Sequence, residues 1–167
     1  LMVEAQSAEV TDNDGRRIAA DIVGYDHETG FGLLRAPALK ARPIPIGKSA
    51  ELALDDKVLV AGGGGAQFVG PVKVVSKRRF AGTWEYLLDE ALFTAPAVPW
   101  WSGAALITRD GKLAGIGSLA VADAAGRGKA EAGNMFVPID RLLPILAELI
   151  ADGRVSTPAK PWLGIST

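Results

Sequence analysis

The residues with the clearest chemical potential are Trp100-Trp101-Ser102-Gly103-Ala104-Ala105-Leu106, followed at once by Ile107-Thr108-Arg109-Asp110-Gly111-Lys112-Leu113. A serine and a glycine in a small-residue turn precede a strand, an Asp-Gly hairpin and a second strand. Such a turn displays a hydroxyl. Acyl transfer by that hydroxyl needs a base within hydrogen-bond reach, an acid to orient the base, and two donors for the oxyanion. A serine without those partners is an ordinary turn residue. The two indoles beside it are core packing, a ligand platform or an interface anchor, burial or interface being the commoner outcome.

Other chemistries are narrowed by composition. The chain of 167 residues has no cysteine and a single histidine, His27, so thiolate catalysis, cysteine-ligated zinc and multi-histidine metal sites are excluded. No metal or cofactor is expected. Net charge is −1 from 18 basic and 19 acidic side chains, which gives no field for a nucleic-acid partner. The one basic cluster, Lys77-Arg78-Arg79, reads as a solvated strand end. The pairs Asp55-Asp56 and Asp89-Glu90 read as solvated turn residues, because neighbours on a strand point to opposite faces. Gly62–Gly65 lacks the Gly-Lys-Ser/Thr ending of a phosphate loop and reads as a surface loop. No apolar run is long enough to span a membrane as a helix.

The elements that must position these residues are mostly short strands. Ala8–Thr11 and Arg17–Tyr25 flank Asn13-Asp14-Gly15, a hairpin signal, since Asp-Gly supplies the positive φ of tight turns. Further strands are predicted at Phe31–Arg35, Ile44–Ile46, Lys57–Ala61, Val69–Lys77, Tyr86–Leu88, Ala91–Thr94, Ala104–Thr108 and Leu113–Leu119. Many short strands with Gly and Pro punctuation indicate an all-β chain with a closed or sandwich-like antiparallel architecture. One helix is predicted over Pro138–Ala151, from apolar residues at Ile139, Leu142, Leu143, Leu146, Leu149 and Ile150, with Gly153 as its C-terminal cap.

In this order the segments resemble the trypsin-like serine protease domain of the HtrA (DegP) family. The serine loop is similar to the family's Gly-Asn-Ser-Gly-Gly-Pro-Leu. Asp14-Gly15-Arg16 through Val23-Gly24-Tyr25-Asp26 is similar to its Asp-Gly-Arg…Val-Val-Gly-x-Asp strand pair. His27-Glu28-Thr29-Gly30-Phe31-Gly32-Leu33-Leu34-Arg35 matches x-x-Thr-Asp-Leu-Ala-Val-Leu-Lys. Leu52–Gly65 and Gly70–Lys77 resemble the strand leading to a Gly-Asn-Pro loop and the Gly-x-Val-Ser strand after it. Gly133-Asn134-Met135-Phe136-Val137-Pro138 resembles Gly-Phe-Ala-Ile-Pro ahead of the C-terminal helix, and Pro161-Trp162-Leu163-Gly164-Ile165 the entry to a PDZ domain.

The resemblance implies a double antiparallel β-barrel with a C-terminal α-helix, the first barrel incomplete within this chain. It divides the chain into a protease-like domain at 1–154, a linker at 155–161 and the start of a PDZ domain at 162–167. It also implies where a triad would sit. Ser102 is at the nucleophile position, Gly30 at the position of the triad acid, and Leu1 at or beside the base, since Met2-Val3-Glu4-Ala5 imitates the stretch after the triad histidine. The oxyanion donors would be the N–H groups of Ser102 and of Trp100, which stands where the family has glycine.

His27 lies in the turn three residues before the acid position and reads as an exposed turn residue. The expectation is therefore a degenerate triad, in a domain that binds unfolded protein or peptide segments or supports an assembly. The alternative is an active serine endopeptidase of protein quality control, with a histidine upstream and an acid such as Asp26 or Glu28. Homo-oligomerisation and a periplasmic or otherwise extracytoplasmic location are expected from the resemblance.

Overall fold

The computed structural model describes residues 5–82, 87–128 and 130–156. Nine strands and one α-helix follow in chain order: β1 (Ala8–Thr11), β2 (Arg17–Tyr25), β3 (Gly32–Arg35), β4 (Lys57–Ala61), β5 (Val69–Ala81), β6 (Leu87–Ala95), β7 (Ala105–Ile107), β8 (Leu113–Val121), β9 (Gly133–Pro138) and α1 (Leu143–Asp152). β1, β2 and β3 form a three-stranded antiparallel sheet, and the other six close into a barrel in the order β4-β5-β6-β9-β8-β7. The second barrel is complete. The first is represented by three strands among the described residues, as expected from the sequence.

Strand alternation explains how the two units pack. Val58, Val60, Val72, Val74, Leu92, Leu106 and Phe136 fill the barrel interior, with Trp100 and Trp101 against them. The neighbouring residues face outward: Leu88, Phe93, Met135 and Val137 form a second cluster with Phe31, which immediately precedes β3, and with Leu142 beside α1. The outer face of β6 and β9 is thus buried, with Phe31 and Leu142 packed in its cluster. α1 ends at Gly153, at φ 69°, whose N–H donates to Leu149 O at 3.2 Å. Its C-terminus meets β2 backbone to backbone, because a Cβ on Gly24 would collide with Gly153.

Several elements depart from the sequence expectation for identifiable reasons. Ile44–Ile46 is not a strand; Pro43 and Pro45 lack donors, and Ile46 makes only an isolated bridge to Leu113. The expected strands Tyr86–Leu88 and Ala91–Thr94 merge into β6, with Tyr86 itself outside the described residues. Asp89 and Glu90 therefore lie on a strand rather than in a turn, where Asp89 pairs with Arg141 (2.8 Å) and Glu90 with Lys77 (3.5 Å). The helical stripe begins as a 3₁₀ turn at Ile139–Arg141 before α1.

The basic run Lys77-Arg78-Arg79 lies inside β5, towards its C-terminal end; Arg79 is exposed, whereas Lys77 and Arg78 are partly buried. Lys77 Nζ donates to Ala50 O and Leu52 O, and the Arg78 guanidinium lies 3.6 Å from the centre of the Phe93 ring.

Candidate active-site loop

Ser102 is exposed at the tip of the turn that leads into β7. The Ala104 N–H donates to Trp101 O at 3.0 Å and closes the turn. Gly103, at φ 68°, supplies the left-handed conformation such a turn favours in glycine. The loop is then sewn to β8: the Gly103 N–H donates to Gly117 O (2.9 Å), and the Gly117 N–H donates to Ala104 O (2.8 Å).

Trp100 anchors the other side of the turn. Its ring stands edge-on to Phe68, with centroids 5.9 Å apart and planes at 78°. Gly62 and Gly70 make room for it, since a Cβ on either would come within 2.9 Å and 3.2 Å of the indole. Trp100 Nε1 is buried without a hydrogen-bond partner among the described residues. Of the roles open to the two indoles, packing against the barrel interior is the one observed. Upstream, the buried Asn134 amide spans the Val98 peptide unit's flanking groups: the Val98 N–H donates to Oδ1 at 2.7 Å, and Nδ2 donates to Val98 O at 3.3 Å.

Gly30, expected at the acid position, is a turn residue. Gly30 has φ 77°, and its N–H donates to Asp26 O at 2.9 Å. The nearby Asp26 carboxylate is occupied locally, accepting from the Thr29 N–H (2.8 Å) and Thr29 Oγ1 (2.6 Å). Both side chains are buried, so Asp26 holds this turn together. His27 is exposed, and its ring meets Tyr25 edge-on at 4.9 Å. Glu28 is also exposed. Leu1, at the expected base position, lies outside the described residues, as does the proposed PDZ entry at 162–167.

A closed six-stranded barrel, an exposed serine turn at the head of β7 and a smaller three-stranded antiparallel β-sheet define the fold type. The trypsin-like peptidase domain family matches residues 2–116. The chain belongs to that family. Its relatives place this trypsin-like peptidase domain in the HtrA type: it is 30% identical over 168 residues to Protease Do-like 1, chloroplastic, of Arabidopsis thaliana, covering 96% of this chain and 37% of the relative. It is 29% identical over 160 residues to serine protease PepD of Mycobacterium tuberculosis, covering 88% and 34%. The chain thus spans about a third of these relatives.

Among solved structures, the HtrA-type protease AlgW with decapeptide superposes with a TM-score of 0.74 at 23% identity, over 92% of this chain and 47% of that one. AlgW with tripeptide gives 0.73 at 24% identity, over 91% and 50%.

Within this trypsin-like domain, three structural features had little signal in the sequence. Asn134 carries no signal beyond its place in a segment before the helix, yet it is a β9 residue that holds Val98, two residues before Trp100. Arg78, in a run that reads from sequence as solvated, reaches the loop after β8, donating to Ala124 O (2.7 Å) and Asp123 O (2.9 Å). The third is the far end of β8. Its pairing with β7 stops at Ile116, extended by the Gly117 bonds, whereas its pairing with β9 continues to Val121.

Proposed function

We propose that this domain binds extended peptide segments and does not hydrolyse them efficiently. The observation that carries the reading is Gly30. The residue at the triad-acid position has no carboxylate, and its turn is closed by an Asp26 already bonded to Thr29. Loss of correct base orientation costs about 10⁴ in rate and loss of one oxyanion donor about 10²–10³, although such losses are not additive. Ser102 without an oriented base has no efficient route to a nucleophile.

The binding half of the proposal rests on the end of β8. Residues 119–121 are paired to β9 on one side, and among the described residues no strand ladder covers 119–121 on the β7 side. An edge there accepts an added strand, with main-chain hydrogen bonds supplying affinity. The solved HtrA-type relatives with bound tripeptide and decapeptide support peptide segments as the ligand class. By the same resemblance we propose a PDZ domain after the linker, assembly into homo-oligomers and an extracytoplasmic setting.

One feature favours the second reading, a working endopeptidase: Ser102 is still displayed on a tight turn with Gly103 in the left-handed conformation. A fluorophosphonate probe separates the two. The proposal expects no labelling beyond that of Ser102→Ala, alongside peptide binding measured by fluorescence anisotropy. Labelling abolished by Ser102→Ala would establish the enzyme reading instead.

A further inference from the structure

Away from the Ser102 turn, a cleft of about 250 Å³ opens between the β2–β3 turn, the first residues of β6 and the first turn of α1. Its walls are apolar: Leu87 and Leu88, Pro144 and Ile145, and Val155 beyond the helix. Val155 is held there because the next N–H, that of Ser156, donates to Glu148 Oε2 at 2.8 Å. Leu87 is 46% exposed at this cleft. The volume is below the range of about 300–1,000 Å³ usual for drug-sized ligands, so it suits a small group or a single side chain.

Among these walls stands the Asp26 carboxylate, on a residue only 8% exposed. Both Thr29 donors go to Oδ2, which leaves Oδ1 without a hydrogen-bond donor among the described residues. The cation among the lining residues, Arg141, is turned to Asp89 (2.8 Å), and Glu28 adds a second carboxylate to the lining. A carboxylate so far out of water carries a desolvation cost that bonding on one oxygen offsets only in part. A positively charged donor on the other oxygen offsets the rest.

We propose that this cleft is a binding site for a primary ammonium on an aliphatic stem, the chemistry of a lysine side chain. The ammonium donates to Asp26 Oδ1, and the stem lies along Leu87, Pro144 and Ile145, as long cationic side chains lie on apolar surface. An ammonium suits the site better than a guanidinium, whose planar fork needs two open oxygens where Asp26 offers one. No residue of the Ser102 turn lines the cleft, so the inference is independent of the peptide-binding reading.

The test titrates n-butylammonium chloride into the whole isotope-labelled chain at constant ionic strength, read by amide NMR shifts. Saturable shifts are expected at Thr29, Leu88 and Ile145 in the millimolar range, with no saturation by n-butanol, which has the stem without the charge. Asp26→Asn keeps a carbonyl oxygen for the Thr29 donors and puts an amide nitrogen in place of Oδ1. It is expected to bind butylammonium about tenfold or more weaker, the loss for one hydrogen bond from a charged donor. Nα-acetyl-lysine N-methylamide separates the two sources of the ligand: binding as tight as butylammonium means a lysine of a polypeptide, weaker binding a free amine, and the ammonium site stands in both cases.

No saturable shift with butylammonium, equal binding of n-butanol, or an Asp26→Asn protein that binds as tightly as the wild type would overturn the proposal. If circular dichroism shows Asp26→Asn unfolded, Ile145→Trp takes its place, because it fills the cleft and leaves the turn untouched. That variant has to lose butylammonium by a similar factor, and retained binding would overturn the proposal as well.

Discussion

The carbonyl of Trp101 occupies the space that a side chain on Gly117 would fill. The Ser102 loop and β8 are therefore in backbone contact, a closeness that the reciprocal bonds of Gly103 and Ala104 with Gly117 require. A methyl group at position 117 meets a carbonyl fixed by its own turn, not a flexible side-chain end. Gly117→Ala is expected to destabilise the domain by about 3 kcal/mol, the upper part of the usual range for overpacking. Denaturant unfolding measures it. A loss below about 0.5 kcal/mol, within the range of ordinary surface substitutions, would mean the loop yields without cost.

On the proposed reading, an acid introduced at position 30 does not by itself produce a working triad. Gly30→Asp places a carboxylate on a residue at φ 77°, a conformation that Asp tolerates better than most residues but still at some cost. The expected result is a loss of stability of about 1 kcal/mol and no gain in fluorophosphonate labelling of Ser102. Thermal unfolding and probe labelling of the same preparation check both halves. Labelling that appears in Gly30→Asp would show that the acid alone was missing.

The barrel was more legible in the sequence than the site it carries. β4 and the hairpin of β1 and β2 follow from alternation and Asp-Gly turns, which are local signals. The same alternation does not reveal that β6 runs unbroken, because Ala91 and Phe93 are buried in a cluster with Phe31, Phe80 and Ala124, on a face that looks in isolation like a solvent face. Gly30 and Ser102 were located by their spacing relative to a known family pattern. Asn134 had no such signal, since its role depends on Val98, 36 residues away. The placement of Arg78 is not legible in the sequence because a cation with a long apolar stem can lie across an aromatic ring as readily as in water.

The hairpin that follows β7 gives a pH prediction. Donation from Lys112 and from Thr108 Oγ1 lowers the Asp110 carboxyl to about 2. A carboxylate with a depressed folded pKa contributes stability that is fully present above its ordinary value near 3.8. That contribution is lost as pH falls through about 2. NMR titration of the Asp110 side chain should place its midpoint near 2, and Lys112→Met should raise it. An unchanged midpoint in Lys112→Met would remove the lysine as the main cause.

The loop after β8 is held from both sides. The N–H groups of Gly126, Arg127 and Gly128 donate to the Asp123 carboxylate, at 2.8, 3.2 and 2.8 Å, which lowers its pKa. From β5, Arg78 donates to the carbonyls of Ala124 and Asp123 while stacking on Phe93. Arg78 thus ties the loop to a strand whose own pairing does not depend on it. Arg78→Met keeps most of the apolar stem and removes the donors, leaving two carbonyls unpaired. The expected cost is about 2 kcal/mol, the range for hydrogen bonds from a charged donor. Hydrogen exchange should accelerate at Gly126–Gly128, while the amides of the β5–β6 ladder stay as protected as in the wild type relative to the new global stability. Uniform acceleration across loop and barrel would mean instead that Arg78 supports the whole barrel rather than the loop.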